Sequence, residues 1–351
     1  MIPTQQPLPE LTPAQIAELH AEIRAIAAER RATILAHNYE VPEIQQVAHY
    51  VGDSLGLSRK AAAADGETIV FCGVHFMAET ASILCPEKTV LIPDLDAGCS
   101  LAASIDSDQL RDWKATYPQG VVVMYVNTTA EVKALTDYCC TSANAVDVVR
   151  DIYATHGPDT EILFGPDMWL GAYVEKEIGK PMHVWDGECH VHAGIRPSDI
   201  EAMRAAHPGA DFLIHPECGC STSVMEYVAA GDISSEGVHM LSTGGMLRYA
   251  DDMEKDVAGQ AAGSSGFGAA QATSPREAVV ATETGMLYPL RMAAPDVNFI
   301  PANPEASCVY MKMITLEKLR DALRDMKYEV RVPPEIAERA RIPIDRMVAL
   351  G

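Results

Sequence analysis

Short runs of Val, Ile and Leu alternate along the chain with Ala-rich stretches in which apolar residues recur at helical spacing. Residues 33–39, 69–75 and 121–126 are typical of these apolar runs, and each has the length of a strand. A regular alternation of strands and helices is typical of βαβ units, whose strands are parallel. The pattern therefore predicts an α/β protein.

The same succession of four signals occurs three times. In each repeat a first strand ends in polar residues, a second signal places a hydroxyl residue before a helix, and the fourth is a strand that runs towards a cysteine. The first strands lie at 33–39, 122–127 and 212–217, the second signals at 52–54, 140–142 and 241–243, the third at 69–75, 162–167 and 279–285, and the fourth before Cys99, Cys189 and Cys308. Such repetition predicts three related βα domains with pseudo-threefold symmetry.

The repeats also predict domain boundaries. We expect an extension at 1–19, α/β domains at 20–98, 99–188 and 189–308, and a C-terminal segment at 309–351. The third domain is the longest because it contains a stretch rich in Gly, Ala and Ser at 259–275, which predicts a mobile surface insertion, either a lid or a loop. From Leu316 onwards the C-terminal segment predicts an amphipathic helix that covers a domain face.

Composition narrows the class of protein. A chain of 351 residues that is 48% hydrophobic can bury a large core, and no apolar stretch approaches the roughly 20 residues of a membrane span. The formal charge of −22 argues against nucleic acid as a partner, because phosphate contacts need a basic face. Residues 1–9 lack both a basic and an apolar segment, so we expect no secretory signal and a cytoplasmic protein without membrane partners.

The nine cysteines are an odd number in a chain without a secretory signal, which predicts reduced thiols in place of a disulfide framework. Core packing is the expected role of Cys72, Cys85, Cys139 and Cys140. Cys218 and Cys220 follow His215 in a His-x-x-Cys-x-Cys pattern, and a zinc site or a redox pair is the alternative to packing there.

The three repeated cysteines predict a metal site. Ligands of parallel sheets bind beyond the carboxyl ends of the strands, where Cys99, Cys189 and Cys308 are expected to meet. Three thiolates leave one metal position open, in a [4Fe–4S] cluster or at zinc. The absence of a paired Cys-x2-Cys motif favours the cluster but leaves zinc open, and no Cys-x3-Cys-x2-Cys, Gly-x-Gly-x-x-Gly or P-loop motif occurs.

Taken together, the motifs resemble one family, quinolinate synthase, over nearly the whole chain. The motifs that carry the resemblance are Ala-His-Asn-Tyr at 36–39, Gly-Asp-Ser-Leu at 52–55, Pro-Asp-Leu-Asp-Ala-Gly-Cys-Ser-Leu at 93–101, Tyr-Val-Asn-Thr at 125–128, Thr-Ser-Ala-Asn-Ala at 141–145, Trp-Asp-Gly-Glu-Cys at 185–189, His-Pro-Glu-Cys at 215–218, Ser-Thr-Gly-Gly-Met at 242–246 and Met-Lys-Met at 311–313. Together they are far more specific than any one of them alone.

The resemblance implies a transferase of de novo NAD biosynthesis that condenses iminosuccinate with dihydroxyacetone phosphate to give quinolinate, phosphate and water. It implies three related three-layer α/β/α domains with short parallel sheets, in pseudo-threefold arrangement around a central cluster and active site. The implied cluster is one [4Fe–4S] cluster per chain, held by Cys99, Cys189 and Cys308. A functional link to an aspartate oxidase or an aspartate dehydrogenase, as the source of iminosuccinate, is also implied. The substrate contacts that it implies are His37, Ser54, Tyr125, Asn127, Ser142, His215, Glu217 and Thr243, with Tyr39 also lining the site.

Chemical roles follow from the residue types. Glu217 and His215 are the expected proton carriers, with Tyr39 and His37 as further catalytic groups. The second signal of each repeat contains a hydroxyl residue before a helix, namely Ser54, Ser142 or Thr243. We expect these three to be helix N-cap hydroxyls that bind phosphate and carboxylates. The open iron of the cluster is expected to act as a Lewis acid.

Two other functions are compatible with three equivalent thiols. One is an iron–sulfur or zinc protein that senses metal or oxygen, and the other is a zinc hydrolase. A sensor needs the thiols but not the polar side chains at the other strand ends, and metal content separates a zinc hydrolase. His75, His190 and His192 lie near strand ends and are candidates for a supporting role around the metal.

Overall fold

The computed structural model describes residue 3 and residues 10–231, 235–263 and 276–350, with the backbone alone for 256–263. The chain forms two compact units. Unit 1 consists of Met1–His190 together with Cys308–Gly351, and unit 2 consists of Val191–Ser307. The chain therefore leaves unit 1 once and returns to it.

Three four-stranded sheets, all parallel, make up the β structure of the described residues, which confirms the predicted α/β class. In unit 1 the strands are β1 Ala32–His37, β2 Tyr50–Gly52, β3 Thr68–Cys72, β4 Thr89–Leu91, β5 Val121–Tyr125, β6 Tyr138–Cys140, β7 Ile162–Gly165 and β8 His183–Val184. In unit 2 they are β9 Asp211–Ile214, β10 Val238–Met240, β11 Arg276–Ala281 and β12 Val297–Pro301. The sheet orders are β2-β1-β3-β4, β6-β5-β7-β8 and β10-β9-β11-β12, so every sheet has the order second, first, third, fourth.

The central strands are buried on both faces, as expected for parallel sheets covered by helices. All five residues of β3 are buried, and Leu35 of β1 pairs in register with Phe71 of β3. In the second sheet Val122 and Leu163 pack with Leu110, which lies in the helix before β5. Burial of each such side chain stabilises the fold by about 1.5–3 kcal/mol, which fixes the strand ends where the polar motifs begin.

Helices connect the strands. In unit 1 they are α1 Pro13–Glu29, α2 Pro42–Val47, α3 Ser54–Ala63, α4 His75–Leu84, α5 Ser107–Thr116, α6 Ala130–Lys133, α7 Ala145–His156, α8 Met168–Ile178, α14 Leu316–Asp325 and α15 Pro334–Ala349, with short 3-10 turns at Ala102–Ser104 and Met311–Met313. The short helix α9 His190–Ala193 lies where the chain passes from one unit to the next. In unit 2 they are α10 Pro197–Ala206, α11 Ser221–Ala230, α12 Thr243–Gly263 and α13 Leu287–Ala293, with a 3-10 turn at Thr284–Met286.

The amphipathic helix predicted from Leu316 is confirmed as α14. Its apolar face buries Leu316, Leu319 and Leu323, and the helix packs against α1. Helix α1 begins with a capping box, in which Thr12 and Gln15 each satisfy a backbone N–H of the other. Because the apolar face of α14 is buried, its charged residues lie on the outer side, as the helical period predicts.

The predicted insertion at 259–275 lies only partly within the described residues. Helix α12 runs to Gly263, so residues 259–263 are helical backbone and not the start of a loop. The remainder of the predicted insertion, including any role as a lid, lies outside the described residues. The helix continues past Gly259 because the Ala residues that follow favour helix.

We propose that the three sheets correspond to the three domains predicted at 20–98, 99–188 and 189–308. The common strand order of the sheets supports this division, because three unrelated domains would not need to share one strand order. Among the helices of the described ranges, none is both long and apolar enough to cross a membrane.

Candidate active site and metal centre

Two of the three repeated cysteines follow edge strands of unit 1, and the third begins the segment that returns to it. Cys99 lies in the turn after β4, Cys189 in the turn after β8, and Cys308 is the first residue of the returning segment. All three are partly buried. The backbone N–H of Ala102 approaches the Sγ of Cys99 at 3.5 Å, an N–H···S contact that suits a thiolate. All three predicted metal ligands therefore belong to one compact unit.

Neighbouring side chains connect the three cysteine turns. The Oγ of Ser100, next to Cys99, lies 2.7 Å from Nδ1 of His190, next to Cys189. The His190 ring meets the ring of Tyr310, two residues after Cys308, edge to face at 6.0 Å between centroids. Gly98 packs on the same tyrosine, because a Cβ there would lie 3.5 Å from Tyr310 Cε1. The turns around the three cysteines thus meet one another.

The surroundings of these turns suit an anionic metal centre. Burial raises the pKa of Tyr310, and nearby Cys99 and Cys308 raise it further. Burial lowers the pKa of His190, and its Nε2 is buried without a hydrogen-bond partner among the described residues. A neutral imidazole with an unsatisfied nitrogen beside three thiols is compatible with a bound group, because buried polar atoms normally have partners. The residues present therefore fit a three-cysteine metal centre.

Asp167 supports the turn of Cys189. Its carboxylate caps α8 by accepting the N–H of Leu170 at 2.7 Å, and it also accepts the backbone N–H of Cys189. Burial raises the pKa of Asp167 to about 7, with a contribution from Glu188, although the backbone donors act in the opposite direction. Asp167 is therefore the N-cap of α8, and it also holds the turn that carries a predicted metal ligand.

His37 and Tyr39 lie together at the carboxyl end of β1. The backbone N–H of Tyr39 donates to His37 Nδ1 at 3.2 Å, and the two rings meet edge to face at 4.6 Å. Lys312 Nζ donates to the carbonyl oxygen of Tyr39, which ties this turn to the segment after Cys308. Since Nδ1 accepts a hydrogen bond, the neutral His37 ring carries its proton on Nε2.

Tyr125 and Asn127 occupy the corresponding place after β5. Tyr125 is the buried last residue of the strand, and Val126 extends the pairing by donating to the carbonyl of Cys140 at 2.9 Å. The Oδ1 of Asn127 is buried and has no hydrogen-bond partner in the described part of the chain. A buried amide oxygen of this kind is suited to accept a hydrogen bond from a ligand.

The hydroxyl residues predicted as N-caps lie next to the caps and not on them. The N-cap of α3 is Asp53, whose carboxylate accepts the N–H of Gly56 at 2.7 Å, and Ser54 is the first helical residue. Ser242 caps α12 by accepting the N–H of Gly245, so Thr243, like Ser54, is the first residue of its helix. Ser142 precedes Asn144, the N-cap of α7. The prediction is wrong by one or two residues because the preceding or following polar residue makes the cap.

In unit 2, His215 and Glu217 belong to a buried polar cluster after β9. The backbone N–H of Glu217 donates to His215 Nδ1 at 3.4 Å, and the Glu217 carboxylate lies 3.8 Å from that nitrogen and 3.5 Å from His192 Nδ1. The two imidazole rings stack at 4.9 Å, and His192 Nε2 lies 2.9 Å from the hydroxyl of Thr282. All four side chains are buried. A carboxylate beside two imidazoles in a dry site is suited to proton transfer.

His192, Lys133 and Asp167 are the residues that sequence reasoning missed or undervalued. The signal for His192 was its spacing from Cys189, which places it within one helical turn of a predicted metal ligand. Lys133 is a fully buried lysine in α6, and nothing in the sequence distinguishes it from a surface lysine. Buried charged residues of this kind become visible only when the packing around them is known.

Cys218 and Cys220 form a disulfide, so the expectation of reduced thiols is wrong for this pair. The N–H of Cys218 donates to the carbonyl of His215, and the turn brings the two cysteine Cα atoms to 5.2 Å, within the range that a disulfide needs. Because each sulfur is bonded to the other, neither is a thiolate ligand, and the zinc alternative is not supported here. Cys72, Cys85, Cys139 and Cys140 are buried, as predicted for packing.

Three parallel sheets of one topology, with cysteine turns that meet in one unit, define an α/β protein built to hold a metal centre. The chain belongs to the quinolinate synthase family, since the family model described as "Quinolinate synthetase A protein" matches residues 21–349. The resemblance read from the motifs is thereby confirmed. Membership supports an enzymatic function in NAD biosynthesis.

Curated relatives agree with this assignment. The chain is 54% identical over 332 residues to a quinolinate synthase of Mycobacterium tuberculosis, covering 94% of this chain and 88% of the relative. It is 54% identical over 336 residues to that of Mycolicibacterium paratuberculosis, covering 95% and 89%, respectively. Identity to the quinolinate synthase of a Mycobacterium species is 52% over 335 residues, covering 95% and 92%. The similarity thus extends over nearly the full length of both partners.

Proposed function

We propose that this protein is a quinolinate synthase, a transferase that condenses iminosuccinate with dihydroxyacetone phosphate to quinolinate, phosphate and water in de novo NAD biosynthesis. The observation that carries the proposal is the meeting of the three cysteine turns through Ser100, His190 and Tyr310 in a member of this family. Cytoplasmic location, and supply of iminosuccinate by an aspartate oxidase or dehydrogenase, belong to the same proposal.

Cys99, Cys189 and Cys308 would hold one [4Fe–4S] cluster. When bound, the cluster would supply a Lewis acid at the iron that no cysteine holds. The protein contributes the surroundings: Asp167 accepts the N–H of Cys189, and the N–H of Ala102 points at the Cys99 sulfur. Donors and acceptors of this kind orient thiolate ligands and adjust their basicity.

Glu217 and His215 would move protons in the steps that form and dehydrate the ring. The N–H of Glu217 on His215 Nδ1 leaves the imidazole proton on Nε2, from which the neutral ring can donate. The Glu217 carboxylate would accept protons. The His192 ring, 3.5 Å away, would stabilise the charged carboxylate whenever the imidazole itself is protonated. His37 and Tyr39 would act in the same manner in unit 1, with His37 also presenting a proton on Nε2.

Binding of the anionic substrates needs local help in a chain of net charge −22. Ser54 and Thr243, the first residues of α3 and α12, stand where helices present free N–H groups to an anion, and we propose that they bind phosphate or carboxylate. Ser142, Tyr125 and Asn127 would complete the substrate contacts, with the unpartnered Oδ1 of Asn127 available to a ligand donor.

The decisive experiment is purification of the full chain without oxygen, followed by iron and sulfide analysis and an assay for quinolinate from iminosuccinate and dihydroxyacetone phosphate. We expect iron and sulfide in a ratio near one and quinolinate that depends on both substrates. Zinc in place of iron, or iron without quinolinate, would refute the proposal and would favour a zinc enzyme or a sensor, respectively.

Variants of the three cysteines test the ligand set. Serine at Cys99, Cys189 or Cys308 should abolish cluster assembly, seen as loss of iron and of the cluster absorbance, because an oxygen ligand replaces a thiolate. Cys85→Ser is the matched control: this buried thiol donates to the carbonyl of Ala61 at 3.2 Å, and a hydroxyl can do the same. Full iron content in any of the three ligand variants would contradict the assignment.

A further inference from the structure

Lys133, the last residue of α6, is the largest side chain among those wholly buried in the described residues. Its Nζ donates to the carbonyl oxygen of Thr128 and lies 5.3 Å from the centre of the Phe76 ring. An ammonium group has three donors and is costly to bury, so a buried lysine normally serves a purpose that outweighs this cost.

Acidic neighbours lie near this charge. Burial lowers the pKa of Lys133, whereas Cys139, Glu79, Cys99 and Glu131 act to raise it. The Oε2 of Glu79 accepts the backbone N–H of Ala130, the first residue of α6, at 3.1 Å. The helix that carries Lys133 is thus fixed at both of its ends, by Glu79 and by the bond from Lys133 itself.

The carbonyl that Lys133 holds belongs to the turn that carries Asn127. Val126 N–H is fixed by the carbonyl of Cys140, Thr128 N–H donates to the carbonyl of Val126 at 2.8 Å, and the Thr128 carbonyl accepts from Lys133. The backbone of Asn127 is thus held on both sides, which places its buried Oδ1, an atom without a hydrogen-bond partner among the described residues. A residue whose backbone is held in this way loses less entropy when it binds a ligand.

We infer that Lys133 is a positioning residue of the active site, whose buried ammonium fixes the Asn127 turn through the Thr128 carbonyl. The contact of Asn127 with a substrate rests on the proposed function, whereas the hold of Lys133 on the turn concerns the protein alone. The inference does not require Lys133 to touch the substrate.

The test compares Lys133→Met with Lys114→Met. Methionine retains the length of lysine and removes the charge. Lys114 is the matched control, because its Nζ also donates to a backbone carbonyl, that of Leu135 at 2.7 Å, but its side chain is about one-third exposed. Both proteins are prepared with and without the cluster and are first checked for thermal stability, which loss of a buried charge can leave unchanged or even raise.

Two readouts separate positioning from a merely structural role. In the metal-free protein, amide hydrogen exchange of residues 126–129 should quicken at least about tenfold in Lys133→Met, since the turn loses its anchor. In the loaded protein, the ratio kcat/KM should fall at least about tenfold. Lys114→Met should show neither change.

Altered stability with unchanged exchange would overturn the inference. If the wild-type protein lacks iron or makes no quinolinate, the proposed function fails, and hydrogen exchange in the metal-free protein still decides whether Lys133 holds the turn. If Lys133→Met does not fold, Lys133→Leu takes its place, because leucine favours the helix and removes the donor to the Thr128 carbonyl without leaving a polar group to bury. Exchange of residues 126–129 at the wild-type rate in that variant would overturn the inference.

Discussion

The turns after β1 and β9 have the same construction and different chemistry. In both, a histidine ends or follows the first strand of its sheet, and the backbone N–H two residues later donates to its Nδ1, at 3.2 Å for His37 and 3.4 Å for His215. The backbone therefore selects the same tautomer in both turns, with the proton on Nε2. The donor residue differs, being Tyr39 in the first turn and Glu217 in the second.

This difference shows what each turn can contribute. Tyr39 places a ring against the edge of His37, and its carbonyl is held by Lys312, so the first turn presents neutral groups. Glu217 places a carboxylate between His215 and a second imidazole, His192, so the second turn can exchange protons within itself. In both turns a backbone N–H determines the tautomer of the histidine. The side chain two residues after the histidine, Tyr39 or Glu217, determines whether the turn can exchange protons within itself.

The strongest test of this comparison is Glu217→Gln. Glutamine retains the shape and the backbone donor to His215 but cannot accept a proton, so kcat should fall by about 100-fold or more. The measurement is the steady-state rate of quinolinate formation, normalised to the iron content. A normal rate with an intact cluster would show that Glu217 is not the base.

Glu277→Gln is the control for this variant. Glu277 also pairs with a histidine, His207 at 2.9 Å, on the same sheet, but it lies outside the cluster around Glu217. Its loss should leave the rate of quinolinate formation within a factor of two. Equal losses in both variants would mean that the effect of Glu217→Gln comes from the loss of one negative charge in unit 2 and not from the loss of a group in the cluster around Glu217.

A smaller effect is expected from Tyr39→Phe. The ring contact with His37 and the Lys312 bond to the Tyr39 carbonyl both remain, and only the hydroxyl is lost. We expect a decrease of about tenfold in kcat, smaller than the roughly 100-fold or more that is typical of a lost proton-transfer group, because His37 remains in place. Tyr39→Leu, which also removes the ring contact, should reduce the rate further, and equal rates in the two variants would assign the role to the hydroxyl alone.

The smallest effect is expected from Thr282→Val, which removes the hydroxyl that holds His192 Nε2 and preserves the side-chain shape. The unfolding free energy should fall by about 1–3 kcal/mol, because a buried nitrogen loses its partner. The rate should fall only a few-fold, since Glu217 and His215 remain in place. The measurements are denaturant unfolding of the metal-free protein and the quinolinate assay, and a rate loss as large as that of Glu217→Gln would make His192 the central proton carrier.

Much of the fold was predictable because the repeated signals are local. The strands predicted at the first, third and fourth signals of each repeat exist, since runs of Val, Ile and Leu of strand length fit a buried parallel sheet between helices. The second strand of each sheet was not predicted, because its few residues lack such a run. The sheet order common to the three repeats follows from their common sequence pattern. The cysteine positions could be recognised for the same reason, as they recur at one place in each repeat.

Other features depend on competition between neighbours or on distant packing. Asp53, which precedes Ser54 by one residue, caps α3 because its carboxylate accepts the N–H of Gly56. The Cys218–Cys220 disulfide depends on a turn that the His215 carbonyl stabilises. The burial of Lys133 and the pairing of Ser100 with His190 join residues far apart in sequence, so no local pattern reveals them.

The return of the chain to unit 1 at Cys308 has a consequence for synthesis on the ribosome. Cys99 and Cys189 emerge early, but the third cysteine emerges only after all of Val191–Ser307 has been made. Domains commonly fold as they leave the ribosome, so unit 2 can finish folding while unit 1 still waits for α14 and α15. Insertion of the proposed cluster would therefore follow translation of the returning segment, because a nascent chain that stops before this segment has only two of the three proposed cysteine ligands.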